Sequence, residues 1–349
     1  MPPHIIAEVG CDMLNRVVLP TLYDKVLCDF RIQRMKAKPF IKWAGGKGQL
    51  LSQLDELLPS ELTKRPFTYI EPFVGGGAML FHMLQKFSNI RKAVINDINF
   101  HLVTAYRVVK ECPHELIKQL ANIEDKYFAL NEGESKKAFY LDAREIFNEK
   151  QLNDVDRTTY LMFLNRTCFN GLYRENAKGK FNVPFGNNLH PTICNAETII
   201  ADSDILNRVN VTILHGDFSA TLNHLDEEGI NFFYFDPPYR PLNATSSFNS
   251  YVKEGFDDSE QVRLRNFSQE LDDKLGIYWM MSNSDCSAKN PEDSFFETIY
   301  KDFYISRVYA SRAINANPTK RGRLTELLIS NYMPENFGMN AADGIEPYN

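Results

Sequence analysis

Short apolar runs, each closed by a polar or glycine-rich loop, recur along this chain from Pro39 onward. Thr68-Tyr69-Ile70-Glu71 has the β-branched and aromatic character of a strand. Gly75-Gly76-Gly77 follows, and the apolar positions from Ala78 to about Phe87 then fit a helix. Ala93-Val94-Ile95-Asn96 reads as a second strand that ends at Asp97. Strand, glycine loop, helix and strand in that order predict a βαβ unit, and hence a parallel sheet covered by helices. The same texture returns at Val209-Asn210-Val211-Thr212-Ile213-Leu214, at Asn231-Phe232-Phe233-Tyr234-Phe235 and at Gly276-Ile277-Tyr278-Trp279-Met280-Met281.

Between these blocks the pattern changes. From about 111 to 204 it is largely helical, as at Glu115 to Leu120 and Lys136 to Phe147, with a Gly-, Asn- and Lys-rich interruption near 170–188. The expectation is one α/β catalytic domain, residues 39–110 and 205–333, carrying a mostly helical insertion, residues 111–204. Residues 1–38 hold no motif and follow no sustained period, so they read as an N-terminal extension without a folded role or as a helix docked on the domain. Met35 is a candidate native start, which makes 1–34 dispensable by expectation. Residues 334–349 contain Glu335, Asp343 and Glu346 but no Lys or Arg, and read as a disordered tail.

Composition narrows the function classes. A hydrophobic content of 44% and a charged content of 24% over 349 residues are those of an ordinary soluble globular protein. No apolar run reaches the length of a membrane span, and the N-terminus lacks the apolar core of a secretory leader. The cysteines at 11, 28, 112, 168, 194 and 286 form no Cys-x-x-Cys pair, which argues against zinc and disulfides and for a reducing cytoplasm. The net charge of −6 means that a nucleic-acid partner must be met by local basic patches. Arg174, Lys178 and Lys180 are candidates, as are Arg312, Lys320, Arg321 and Arg323.

The most pointed chemistry is Asp236-Pro237-Pro238-Tyr239, directly after an apolar strand. Two prolines in a row make a stiff, extended segment. They fix the Asp236 carboxylate, the proline carbonyls and the Tyr239 ring in relation to one another. That set suits a planar amine, because it offers acceptors for the N–H hydrogens and a face on which the ring can stack. An isolated Asp-Pro-Pro-Tyr also reads as a rigid turn with a capping Asp.

A second group suits a nucleoside-bearing cofactor. The glycines of Glu71-Pro72-Phe73-Val74-Gly75-Gly76-Gly77 allow close approach to the backbone, and the following helix offers free N–H groups. Asp97, about 20 residues on, ends a strand where a carboxylate can hold a ribose hydroxyl pair. The glycine spacing is not Gly-x-Gly-x-x-Gly, so a dinucleotide fits poorly. Trp43 lies between lysines and glycines in Lys42-Trp43-Ala44-Gly45-Gly46-Lys47 and reads as a core anchor or a ligand wall. Gly216-Asp217-Phe218 follows a strand and could meet an adenine, although an Asp in this position alone is more often a helix cap.

These segments, together with Asn96-Asp97, Phe169-Asn170-Gly171-Leu172-Tyr173-Arg174, Phe181-Asn182-Val183-Pro184-Phe185-Gly186, Ser247-Phe248-Asn249-Ser250-Tyr251 and Gln261-Val262-Arg263-Leu264-Arg265, stand in one order. In that order the chain, from about Pro39 to Tyr332, resembles the Dam-type, D12 class of DNA adenine-N6 methyltransferases. The resemblance implies a Rossmann-like methyltransferase sheet with a mostly helical target-recognition insertion. It implies S-adenosylmethionine as donor, double-stranded DNA as substrate, adenine in GATC as target, and base flipping followed by direct in-line transfer without a metal. By the same resemblance, Trp43 and Lys47 border the cofactor, and Glu71, Pro72, Phe73, Gly75 and Gly77 wrap its methionine end. Asp97 takes its ribose hydroxyls, and Asp217 and Phe218 its adenine. Asp236, Pro237 and Tyr239 hold the flipped base, while Lys47, Arg174, Asn176, Lys178, Lys180 and Pro184 meet DNA.

The family setting adds a bacterial cytoplasm, a nucleoid substrate and a separately encoded cognate restriction endonuclease. Glu175 departs from the family, where Tyr or another uncharged residue is frequent; it faces solvent or accepts from a cytosine amine. Three other readings stand beside this one: an RNA or protein amino-methyltransferase of the same fold, a cytosine-N4 enzyme, and a DNA-binding protein that has lost catalysis. Cytosine-N4 enzymes more often carry Ser at the position of Asp236, and loss of catalysis predicts loss of Asp236 or of the glycine loop.

Overall fold

Eight strands form one mixed sheet in the order β3-β2-β1-β4-β5-β7-β6-β8. The computed structural model describes residues 35–131, 133–186, 188–241, 256–310, 324–335 and 346–347. Residues 1–34, Ser247–Tyr251, Arg312, Lys320, Arg321 and Arg323 lie outside the described residues.

The strands are β1 (Phe67–Glu71), β2 (Ile90–Asp97), β3 (Asn210–His215), β4 (Ile230–Phe235), β5 (Ile277–Ser284), β6 (Tyr304–Ala310), β7 (Leu324–Ser330) and β8 (Glu346–Pro347). The helices are α1 (Leu51–Glu56), α2 (Glu61–Lys64), α3 (Ala78–Lys86), α4 (Phe100–Glu111), α5 (Pro113–Phe128), α6 (Glu134–Glu149), α7 (Asp154–Thr167), α8 (Ala196–Arg208), α9 (Asp258–Asp272) and α10 (Phe295–Ile299). Pairing is parallel from β3 through β5, and β7 enters antiparallel between β5 and β6. The Rossmann-like α/β sheet expected from the sequence is therefore present.

The central strands β1 and β4 are buried along their whole length, as strands covered by helices on both faces must be. After β1 the chain steps outward to β2 and β3, then returns to β4 and β5 on the other side. Strand order thus reverses between β1 and β4, the place where open α/β sheets bind ligands at the carboxyl ends of their strands. One core layer gathers Phe233, Phe235, Phe267 and Trp279, with Phe303 edge-on to the Trp279 ring at 4.8 Å. The fully buried tryptophan is Trp279, whereas Trp43 is only half-buried.

The insertion is built from amphipathic helices. Pro113 opens α5 at a position that has no need of its missing N–H. Leu116, Leu120, Ile123 and Tyr127 then line its buried face at helical spacing. Asn153 caps α7 by accepting from the Asp156 N–H at 2.8 Å.

The organisation departs from expectation in three places. The division at 204/205 lies inside α8, which packs on α4 and leads directly into β3, so a crossover helix straddles it. Within the segment expected as an extension, Ala37 N–H donates to Gln85 at 3.0 Å and Lys38 N–H to Asp202 at 2.9 Å. Residues 346 and 347, expected in the tail, pair with β6 as β8. An edge strand offers unpaired backbone groups to any extended segment, which side-chain composition does not reveal.

Candidate active site

The expected site residues collect at the carboxyl ends of the parallel strands. Glu71 ends β1, Asp97 ends β2, Asp217 follows β3 and Asp236 follows β4. They lie far apart in sequence, and the sheet brings them to one rim.

The β4 loop holds the most concentrated chemistry. Lys47, only 4% exposed, places its Nζ 2.8 Å from Asp236 Oδ1 and donates to the Gly45 carbonyl at 2.9 Å. The same ammonium lies 4.6 Å from the centre of the Tyr239 ring. Tyr239 donates its hydroxyl to Glu326 Oε2 at 2.6 Å, and that oxygen is 3.9 Å from Lys47 Nζ. Burial pushes the Asp236 carboxyl above its ordinary value, and the Lys47 ammonium opposes this most strongly. Lys47 thereby favours the ionised, acceptor-only form of Asp236 in a poorly solvated place. The Asp236 side chain retains 21% exposure, so the carboxylate is not closed off.

The glycine loop is locked from three sides. Val74 N–H donates to the Asn96 carbonyl at 2.9 Å, and Gly75 N–H to Asp97 Oδ2 at 3.0 Å. Tyr106 donates its hydroxyl to the Gly75 carbonyl at 3.0 Å. Gly75, at φ +49°, packs on Trp43, whose ring would lie 3.0 Å from an added Cβ. Gly77, at φ +76°, is tighter still, because a Cβ there would meet the Tyr106 hydroxyl at 2.3 Å. The Pro72 carbonyl accepts from Asn96 Nδ2 at 3.0 Å. Glu71 is 2% exposed and accepts from Tyr69 at 2.7 Å, and burial drives its carboxyl well above the ordinary range.

Asp97 fixes the turn that follows β2 and the glycine loop beside it. Its Oδ1 takes the Asn99 N–H at 2.9 Å and its Oδ2 the Gly75 N–H, and the side chain stays partly exposed. Asp217 is committed differently. It caps the turn at Ser219 and binds Arg263 through both oxygens, at 3.1 and 2.6 Å. The Arg263 guanidinium beside it holds the Asp217 carboxyl down at about 2. Arg263 also lies 4.1 Å over the ring of Phe218, which is 3% exposed and packs against Phe73 at 5.3 Å. Phe218 is therefore a covered wall, and Phe73, half-buried, is the more open aromatic.

The insertion reaches this rim through a hairpin. Glu175 and Phe181 bridge antiparallel, and Asn176 Oδ1 accepts from the N–H groups of Lys178 and Lys180 at 2.9 and 3.2 Å to close the turn. Arg174, Asn176, Lys178 and Pro184 are exposed, while Lys180 pairs with Glu149. Arg174 Nε donates to Asn182 at 2.7 Å. Glu175, whose role the sequence leaves open, accepts from the Tyr173 hydroxyl. Tyr173 stacks on Trp43 with ring centres 5.2 Å apart, joining hairpin to glycine loop. Asn165, fully buried, grips the Lys42 backbone on both sides at 2.9 Å and the Gly171 carbonyl at 2.9 Å.

The family described as D12 class N6 adenine-specific DNA methyltransferase matches residues 43–314, a span that runs from Trp43 through the Asp236 loop. The chain belongs to that family. It is 47% identical over 303 residues to the Type II methyltransferase M.MjaIII of Methanocaldococcus jannaschii, covering 85% of this chain and 100% of that protein. It is 38% identical over 302 residues to the Type II methyltransferase M1.LlaDCHI of Lactococcus lactis subsp. cremoris, covering 86% and 97%. The DNA adenine methylase of Vibrio cholerae is 30% identical over 294 residues, covering 84% and 95%.

Sequence reasoning missed Glu326, Tyr106 and Asn165. Glu326 gave a faint signal, as an acid within the apolar strand Leu324-Thr325-Glu326-Leu327-Leu328-Ile329. Among the described residues, no group of acidic, His or Cys side chains is arranged to hold a metal, and no helix is long and apolar enough to cross a membrane.

Proposed function

We propose that this D12-class enzyme methylates the N6 amine of adenine in double-stranded DNA at GATC, taking the methyl from S-adenosylmethionine. The observation that carries the reading is the fixed pairing of the Asp236 carboxylate with the Tyr239 ring at the end of β4, anchored by Lys47 and Glu326. An exocyclic amine is a poor nucleophile because its lone pair is delocalised into the ring. Asp236 counters this by accepting an amine hydrogen, while Tyr239 fixes the plane of the base. The target lies within a stacked duplex, so it reaches these residues only after rotation out of the helix.

The cofactor suits the residues present. Asp97, partly exposed at the end of β2, offers its carboxylate to ribose hydroxyls beside the glycine loop. When bound, S-adenosylmethionine supplies a sulfonium-activated methyl for direct in-line transfer. The protein's own part is then alignment and electrostatics. Trp43 and Phe73 wall the methionine and adenine sides, and Asp217 meets the adenine at its exposed carboxylate edge. Arg174, Asn176, Lys178 and Pro184 present the hairpin to DNA, Lys180 adds charge beside Glu149, and local positive charge offsets the acidic whole. A cognate restriction endonuclease is the partner that this reading anticipates.

The test is plasmid DNA treated with the purified protein and S-adenosylmethionine, then cut with one endonuclease blocked by adenine methylation at GATC and one that requires it. Protection from the first and cleavage by the second is expected. Continued cleavage by the first, with protection appearing at another sequence, would overturn the GATC assignment and leave the chemistry standing.

A further inference from the structure

Behind the Asp236 loop lies a buried pair of amides. Gln261, on the first turns of α9, and Asn283, near the end of β5, are each 0% exposed. Gln261 Nε2 donates to the Pro238 carbonyl at 3.0 Å. Asn283 Nδ2 donates to Gln261 Oε1 at 3.1 Å. Asn283 Oδ1 in turn accepts from the N–H groups of Arg240 at 3.4 Å and Ser284 at 2.9 Å. Ser284 completes the circuit by donating its hydroxyl to the Arg240 carbonyl at 2.6 Å.

The direction of these bonds matters. A side-chain amide can either donate or accept at a given contact. Here Gln261 must donate to Pro238, which turns its oxygen toward Asn283, and Asn283 must then turn its own oxygen toward the loop amides. Each amide fixes the orientation of the other, and the pair is shut away from water that could substitute for either.

The consequence falls on the prolines. Neither Pro237 nor Pro238 has an N–H, so the backbone of these two residues can be held only through their carbonyls. The Pro238 carbonyl is taken by Gln261. The Pro237 carbonyl has no hydrogen-bond donor among the described residues. Arg240 reinforces the exit of the loop, binding Asp258 at 2.7 and 3.2 Å and Asp293 at 2.6 Å.

We propose that Gln261 and Asn283 are positioning residues for methyl transfer: by occupying the Pro238 carbonyl they leave that of Pro237 as the backbone acceptor which, with Asp236, receives the target amine. The inference rests on the reading of the site as an amine methyltransferase. Neither residue touches the substrate. Their effect is therefore on kcat, through the angle at which the acceptors meet the amine, and not on the capture of DNA or cofactor.

The experiment compares the full-length protein with Gln261→Met and Gln261→Glu, using a GATC duplex that carries 2-aminopurine at the target position to report base flipping. For Gln261→Met, kcat on unmodified duplex should fall roughly tenfold to a hundredfold. KM for DNA, cofactor affinity and the 2-aminopurine signal should stay near wild type. In Gln261→Glu, the new side chain can donate to the Pro238 carbonyl only when protonated, so its kcat should recover as pH is lowered while that of wild type falls. A kcat per folded molecule that is unchanged in both variants, or a loss of DNA and cofactor binding in step with kcat, would overturn the proposal. A wild-type protein that methylates no DNA amine would remove the reading beneath it, and the two failures are told apart by the wild-type arm alone.

Discussion

The Tyr239 hydroxyl donates to Glu326 at 2.6 Å and so ties the loop after β4 to β7, 87 residues away. The ring that faces the expected base is thus held at its far end by a carboxylate. A hydrogen bond to a charged group contributes about 1.5–3 kcal/mol, so Tyr239→Phe and Glu326→Leu should each lower kcat/KM by roughly tenfold to a hundredfold. The double variant should be little worse than the poorer single one, because both substitutions break one bond. Steady-state kinetics on a GATC duplex check this, and strictly additive losses would show that the two residues act separately.

Asp236→Ala removes the side-chain acceptor and should cost about 2–4 kcal/mol of transition-state stabilisation, with cofactor affinity measured by calorimetry changing far less. The pH dependence follows from the same site. Burial raises the Asp236 carboxyl above its ordinary value, and activity requires the ionised form. Activity should therefore be present above that raised value and be lost as pH falls through it. Lys47→Met removes the largest opposing influence and should move this acid limb to still higher pH. An acid limb that stays where it was would mean that Asp236 does not set it.

The glycine loop offers a graded test. Gly77→Ala meets both the strain of φ +76° and the Tyr106 hydroxyl at 2.3 Å, whereas Gly45→Ala, at φ +79°, meets nothing within 4 Å. Gly77→Ala should lose about 1–3 kcal/mol of stability and weaken cofactor binding. Gly45→Ala should lose less and leave cofactor affinity nearly intact. Thermal unfolding with and without cofactor reads both effects, and equal losses in the two variants would contradict the packing described.

Asp202 predicts a pH-dependent stability unrelated to catalysis. It is fully buried, its Oδ1 accepts from Lys38 N–H at 2.9 Å, and its Oδ2 has no partner. Burial pushes its carboxyl up to about 8. Between the ordinary carboxylate value and about 8 the folded protein holds a proton that the unfolded chain has released, so stability falls as pH rises across that window. The contribution is up to about 1.4 kcal/mol per pH unit. Asp202→Asn removes that slope, so its melting temperature relative to wild type should climb from pH 5 to pH 8. A difference that does not change with pH would mean that the group titrates normally.

The parallel core of this fold was legible in the sequence because its strands are apolar runs, several of which stop at a candidate site residue. Asp97 and Asp236 each mark a strand end, and glycines mark the turn at Gly75–Gly77. Residues that act through distant partners were not legible. Glu326 lies in an ordinary edge-proximal strand, and only the antiparallel entry of β7 beside β5 carries it to Tyr239. Gln261 stands in a segment that carries the family resemblance, but nothing in its neighbourhood announces its bond to the Pro238 carbonyl. Phe218 was legible as an aromatic beside Asp217, but not its cover, because Arg263 reaches both from a separate helix. Glu175 looked out of place beside DNA until Tyr173 supplied its partner.

The central claim is the identity of the methylated atom. A duplex with a single GATC site is incubated with the protein and S-adenosylmethionine, digested to nucleosides and analysed by mass spectrometry. The account predicts N6-methyldeoxyadenosine, approaching one per strand, and its near-absence with Asp236→Ala. Methyl groups found on cytosine N4, or an unmethylated duplex beside methylated RNA or protein, would contradict it.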